Sequence, residues 1–196
     1  MSIEIRTKFI QYVFSLTILL FSHNDCNASN GDQFSFSNTD GTAKLPSSDM
    51  VFVFIKDKYH PVGGSLIIKN RLGNKLMMYD VDRAIGGKWS PNGKLFYIND
   101  YNASNFSDCI LPYRMSVGWT LQSLEQILRV GPGSGPVDDE SAKPPESIDN
   151  SHYYLNCVGW HGNGDVKVDI HGTTDAGGKF EYKLIYNVAD RKFTNE

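Results

Sequence analysis

Short apolar runs separated by turn-forming residues recur along the middle of the chain. Residues 50–55 form a continuous run rich in β-branched and aromatic side chains, which is typical of a strand buried on both faces. Residues 65–69 and 75–81 repeat such a run, and Gly, Asn and Asp residues lie between the runs. The pattern predicts three successive strands joined by turns.

The last third of the chain alternates between apolar and polar positions. Val166, Val168 and Ile170 share one face of an extended segment, and residues 180–186 repeat the alternation after a glycine-rich turn. Two such segments, each with one polar face, predict an antiparallel hairpin.

One segment between these regions has helical spacing. The apolar residues of 121–128 recur three or four positions apart, and Gly131 and Pro132 follow as a stop signal. Before this segment, residues 101–108 resemble a polar loop, and residues 109–111 a short strand ended by proline. The chain is therefore predicted to be mainly β, with antiparallel sheets and one short helix.

A hairpin over residues 84–100 organises this pattern. Its turn, residues 90–93, contains Pro91, which fixes φ at the second position, and Gly93, which can adopt a positive φ. The residues after the turn are apolar on both faces of the second strand, so both faces should be covered. Trp89, directly before the turn, is expected to cap a layer of the core.

The stretch Lys88-Trp89-Ser90-Pro91-Asn92-Gly93-Lys94-Leu95-Phe96-Tyr97 resembles the W-S-P-D-G-K signature of WD-repeat-like β-propeller blades of the TolB type, with Asn92 where Asp is usual. A diverged copy over residues 159–166 keeps a tryptophan and a turn glycine and lacks the Ser-Pro pair. The matching positions are structural in that family. The resemblance therefore implies structural roles, and no catalytic residue, at Trp89, Pro91, Gly93, Trp160 and Gly164.

The length of the chain limits how far this resemblance extends. A propeller closes with about four or more four-stranded blades, and 196 residues leave room for roughly two. Sheets that cannot close into a ring predict an incomplete propeller or a sandwich. Propellers of this type are mostly periplasmic interaction platforms, and some are accessory domains of peptidases, so the resemblance implies protein binding.

The N-terminus has the three regions of a secretory signal. Arg6 and Lys8 precede an apolar run over residues 9–21, and small residues follow near Ala28. We predict a signal peptide over residues 1–28, the alternatives being an uncleaved anchor or a buried helix. After cleavage no membrane span is expected, and the protein would be periplasmic or secreted.

Composition divides the remainder of the chain into three parts. Residues 29–49 are rich in Ser, Asn, Asp and Gly, which predicts a flexible leader, with packing of Phe34 and Phe36 against the domain as one option. Residues 50–196 are expected to form a single β domain. Within it, the Gly, Pro, Ser and acidic residues of 131–151 predict a mobile insertion.

Export changes how the cysteines are interpreted. Cleavage after Ala28 removes Cys26 and leaves Cys109 and Cys157. Two cysteines in an oxidising compartment favour a disulfide, and the alternative is two separate buried thiols.

Charge and motif content narrow the range of functions. A net charge of −3 and a pI near 5.9 argue against nucleic-acid binding, which needs a basic face. The histidines and cysteines follow no metal-ligand spacing, and no glycine-rich phosphate loop or nucleophile elbow occurs, so neither a metal nor a cofactor is predicted.

These observations favour an exported, non-enzymatic β domain that binds a protein or a component of the cell envelope. The alternative is a small exported hydrolase whose site gathers Asp80, Asp82, Asp169 or His171 beside a tryptophan. A third reading is an assembly module whose propeller closes on oligomerisation.

Overall fold

The computed structural model describes residues 32–37, 39–44, 48–103, 106–116, 118–130, 148–174 and 176–196. The predicted signal peptide, residues 1–28, lies outside the described residues, as does most of the predicted insertion. In chain order the elements are β1 (Gln33–Phe36), β2 (Gly41–Lys44), β3 (Met50–Lys56), β4 (Gly64–Asn70), β5 (Lys75–Val81), β6 (Ile85–Trp89), β7 (Phe96–Ala103), β8 (Phe106–Met115), β9 (Gly118–Ser123), α1 (Leu124–Val130), β10 (Ile148–His161), β11 (Asp165–Thr174), β12 (Lys179–Asn187) and β13 (Lys192–Asn195).

The strands form two sheets. A four-stranded sheet has the order β2-β3-β4-β5, and a nine-stranded sheet has the order β1-β6-β7-β8-β10-β11-β12-β13, with β9 also paired to β8. All strand pairs are antiparallel except β8 with β10. The predicted fold class is confirmed: the chain is mainly β, with antiparallel sheets and one short helix.

One core lies between the two sheets and is built from aromatic rings. The ring of Phe52 from the four-stranded sheet lies 4.8 Å from the rings of both Trp89 and Phe96. Phe34 of β1 packs 4.7 Å from Phe52 and 4.8 Å from Trp89. Trp89 is 2% exposed and fills this layer as predicted.

A glycine makes room for this packing. A Cβ atom added at Gly87 would lie 2.4 Å from the ring of Phe34 and 2.2 Å from the backbone oxygen of Tyr97. Real Cβ atoms do not approach other heavy atoms so closely. The close contact of β1 with β6 therefore requires glycine at this position.

A second core lies on the opposite face of β7 and β8. Tyr97, Cys109 and Leu111 join the inward-facing residues of β10–β13 and the helix residues Leu124 and Ile127. Since successive side chains of a strand point to opposite faces, Phe96 and Ile98 enter the first core while Tyr97 enters the second. Both faces of β7 are thus covered, as its apolar sequence predicts.

Four predictions from the sequence are wrong in detail. The predicted helix includes Leu121, but Gly118–Ser123 form strand β9 and the helix begins at Leu124. The predicted leader, residues 29–49, contains β1 and β2, because Phe34 and Phe36 are buried against the four-stranded sheet. Residues 106–108 belong to strand β8 instead of a loop. That strand passes through Pro112, where its partner is β9 and its described pairing with β7 has already ended at Ile110.

The two tryptophan-led hairpins lie side by side. Trp160 is half-buried, and its Nε1 donates a hydrogen bond of 3.3 Å to the backbone oxygen of Lys88. Gly93 has a positive φ of 67°, as predicted for the first turn. In the second turn the positive φ, 65°, falls at Gly162 and not at Gly164, the turn glycine of the diverged copy.

A disulfide and a side-chain amide connect β10 to the neighbouring strands. Cys109 of β8 and Cys157 of β10 lie at disulfide distance, with Cα atoms 5.6 Å apart, which is within the usual range. The buried amide of Asn99 on β7 donates to the backbone oxygen of Cys157 and accepts from its backbone N–H, both at 2.9 Å. This amide replaces a backbone partner where β10 has none on that side.

Reduction of the Cys109–Cys157 pair is expected to destabilise the fold by roughly 2–4 kcal/mol, because the cross-link constrains the unfolded chain. Urea unfolding with and without reductant measures this difference. The double variant Cys109→Ala/Cys157→Ala is the control, since reductant should leave its midpoint unchanged. Equal midpoints for the wild-type protein under both conditions would contradict the disulfide.

Replacement of Asn99 by leucine is expected to lower the free energy of unfolding by roughly 2–4 kcal/mol, because it leaves the N–H and C=O of Cys157 buried without partners. Chemical denaturation measures the change. Asn187→Ala provides a control. The Asn187 amide is only half-buried, and it donates a hydrogen bond of 2.9 Å to the carboxylate of Asp165. A loss no larger than that of the control would show that Asn99 is dispensable.

Candidate interaction surface

The outward side of the four-stranded sheet is apolar at its centre. We call this surface the outer face. It carries a central row in register across the sheet, and two apolar residues of β3 extend it to either side. The central row is Thr42, Val53, Ile67 and Met78, and the flanking residues are Val51 and Ile55.

The exposure of these side chains is unusual for their type. Ile55 is 46% exposed and Met78 is 53% exposed, while Val51, Val53 and Ile67 are half-buried by their neighbours alone. Contiguous apolar patches of this kind on a protein surface are typical of interaction sites.

Charged residues lie at the two ends of the outer face. Lys44, Lys69 and Lys75 share one row with Val51, at the end where β3 begins. Asp80 lies at the opposite end, in register with Ser65, whose hydroxyl donates to its carboxylate at 3.0 Å. The outer face therefore has a basic end and an acidic end.

An open cleft adjoins the acidic end. It has a volume of about 640 Å³ and lies between the β3–β4 loop and the ends of the adjacent strands. Asp57 accepts a 2.8 Å hydrogen bond from the backbone N–H of Tyr59, which shapes the loop. The Tyr59 side chain is 92% exposed and Val62 is 38% exposed, and the lining of the cleft also carries the charged residues Lys56, Lys58 and Asp82.

The structure separates the residues of the predicted hydrolase site. Asp80 and Asp82 line the cleft together with His60. Asp169 and His171 lie on β11 of the other sheet, where the His171 ring stacks on Tyr154 at 4.9 Å. Neither is part of the cleft. Trp89 is enclosed in the core between the sheets, and Trp160 donates a hydrogen bond to the backbone of Lys88, so neither tryptophan lines the cleft.

Two buried carboxylates, which the sequence reasoning missed, lie between the sheets. Asp100 of β7 and Asp108 of β8 are register partners, and they are 4% and 6% exposed. The hydroxyl of Tyr79, from the four-stranded sheet, donates a hydrogen bond to Asp100. Asp108 accepts a 3.1 Å hydrogen bond from the backbone N–H of Glu125 at the start of α1.

Burial shifts the ionisation of all three groups. Burial raises the pKa of Asp108 to about 7, although hydrogen bonds from Ser123 and two backbone N–H groups act in the opposite direction. The pKa of Asp100 is also raised by burial, and that of Tyr79 by burial and by the hydrogen bond to Asp100. These groups tie the sheets and the helix together.

The sequence signal that these two acids are buried is their spacing from neighbouring apolar residues. Asp100 follows Ile98 by two residues, and Asp108 precedes Ile110 by two, so each lies on the inward face of its strand. Because residues 101–108 are polar, the sequence predicts a loop there, and the alternation of inward and outward positions along the two strands is overlooked.

A smaller groove lies on the nine-stranded sheet, on the side away from the four-stranded sheet. It has a volume of about 290 Å³, and its lining includes Tyr97, Tyr101 and Lys88. Lys88 is held by an ion pair of 3.0 Å with Asp32. The groove is smaller than the cleft beside the outer face, and its aromatic rings are partly enclosed.

The described parts of the chain contain no cluster of three or more His, Cys, Asp or Glu residues placed to bind a metal ion. Among the same residues, no helix has the length and apolar character needed to cross a membrane.

Comparison with known proteins gives no relative: no protein-family model matches the chain, and no curated protein or solved structure is detectably similar to it. The propeller-blade resemblance of the Trp89 hairpin stays a prediction.

The fold is expected to lose stability as pH rises from 5 to 8. A carboxyl whose pKa is raised on folding binds its proton more tightly in the folded state. The contribution of Asp108 to folding stability is therefore full below its unfolded pKa, near 4, and is lost as pH rises past its folded pKa of about 7. Each unit of difference between these two pKa values corresponds to about 1.4 kcal/mol of stability. Urea unfolding at several pH values measures this effect.

The variant Asp108→Asn is the matched test of this assignment. Its side-chain oxygen still accepts the hydrogen bond from Glu125 and cannot ionise. Its stability should fall less than that of the wild-type protein between pH 5 and pH 8. Identical slopes for the two proteins would remove Asp108 as the cause.

Proposed function

We propose that this protein is an exported, non-enzymatic β domain that binds another protein or a component of the cell envelope, and that it does so through the outer face. The observation that carries the proposal is the apolar central row, in which Val53 and Ile67 are half-buried and Met78 is exposed, next to an open cleft. Burying such a patch against a partner is favourable by about 25 cal/mol per Å² of apolar surface.

The flat shape of the surface favours a macromolecular partner. Small-molecule sites are enclosed cavities that surround most of their ligand. The outer face is one side of a sheet, and its cleft is open and rimmed by the exposed Tyr59. An aromatic side chain at the edge of an apolar patch is a frequent anchor in protein interfaces.

Two observations support export. The N-terminal sequence has the charged, apolar and small-residue regions of a secretory signal. The Cys109–Cys157 pair lies at disulfide distance, and disulfides persist in oxidising compartments such as the periplasm or the extracellular space. A periplasmic or secreted location is therefore part of the proposal.

Met78→Lys is expected to reduce the recovery of a bound partner at least about tenfold, because it places a charge in the centre of the apolar row. The measurement is chemical cross-linking in an envelope extract, followed by quantitative mass spectrometry of the partners captured by each variant. A thermal melt confirms that the variant is folded, as expected for a side chain that is 53% exposed.

Val158→Lys is the matched control. Val158 is 52% exposed and lies on β10, away from the outer face. This variant should capture the same partners as the wild-type protein. If Met78→Lys and Val158→Lys give the same recovery, the outer face is not the binding surface.

A further inference from the structure

We infer that the outer face binds a second copy of this chain, related by a two-fold axis that lies in the interface and runs perpendicular to the strands. The inference rests on the proposed function, since it names the partner of that same surface. Three independent features of the surface fit this arrangement.

The apolar row fits first. Such an axis lays each strand antiparallel on its own copy, so the central row meets itself. Val53, Ile67 and Met78 then face the same residues of the other copy.

The charges fit the same axis. Along β5, Lys75 lies at the basic end and Asp80 at the acidic end, and both are exposed. The rotation exchanges the two ends, so Lys75 of each copy faces Asp80 of the other. An axis parallel to the strands would instead lay the basic end of one copy on the basic end of the other, so that Lys44 of one copy faces Lys75 of the other. Opposite charges select the first arrangement.

The turns complete the fit. Leu72, in the turn between β4 and β5 at the basic end, is 86% exposed. The exchange of ends carries Leu72 of one copy to the cleft of the other, beside Tyr59 and Val62. An exposed leucine at one end thus meets the exposed Tyr59 and Val62 side chains at the other.

The size of the surface predicts a reversible dimer. Four strands spaced about 4.8 Å apart and about five residues in length give a face of roughly 14 by 17 Å. This is about 240 Å² on each copy, well below the roughly 800 Å² per partner of a stable interface, so the dimer should be weak and form only at high protein concentration.

The test is sedimentation velocity of the purified full chain over a wide concentration range. The wild-type protein should pass from monomer to dimer as concentration rises. Lys75→Glu and Asp80→Lys should each raise the dissociation constant at least about tenfold, because each variant sets like charges opposite one another. Val158→Lys should associate like the wild-type protein.

Mixing the two charge variants is decisive for the geometry. In the mixed pair, Glu at position 75 faces Lys at position 80, and Lys75 faces Asp80, so an equimolar mixture should dimerise nearly as well as the wild-type protein. A wild-type protein that stays monomeric throughout, or a mixture that associates no better than its components, would overturn the inference.

The two proposals fail in different ways. If the wild-type protein is monomeric while Met78→Lys still loses a captured partner, the outer face binds another protein and the dimer is excluded. If the wild-type protein dimerises through the charge pair and no other partner depends on Met78, the second copy is the occupant and the wider binding function fails.

Discussion

The structure depends on how β10 is held against the strands before it. Its parallel backbone pairing with β8 covers two described register pairs, at Tyr153 and Tyr154. Beyond them the contact continues through side chains: the amide of Asn99 takes both backbone groups of Cys157, and the same cysteine lies at disulfide distance from Cys109. The Asn99 side chain and the sulfur bridge thus hold β10 against β7 and β8, where backbone hydrogen bonds between strands would otherwise do so.

The buried acids show that the interior is not optimised for stability alone. Asp100 and Asp108 lie in register on adjacent strands, where two charges would repel each other without water to screen them. Burial is the main cause of the raised pKa of each carboxyl. In return, Tyr79 joins the two sheets through Asp100, and Asp108 fixes the start of the helix.

Local pattern predicted most of the strands, the helix and the core position of Trp89, because period-two alternation and turn residues report directly on a strand and its ends. The local pattern did not predict β1. Its four residues form a strand because Phe34 and Phe36 pack against the four-stranded sheet, and this contact is not visible in the sequence. The outer face was hidden for a similar reason: residues 50–55 suggest a strand covered on both sides, and only the sheet order reveals that one side is open.

The position of the sulfur bridge along the chain has a further consequence. It joins residues separated by 48 positions, and the covalent ring that it closes contains β9, the helix and residues 131–147. A protease that cut once within this ring would open it without releasing either fragment. Cleavage of a peptide bond there would leave the apparent mass of the protein unchanged under oxidising conditions. Two smaller fragments would appear only after reduction of the bridge.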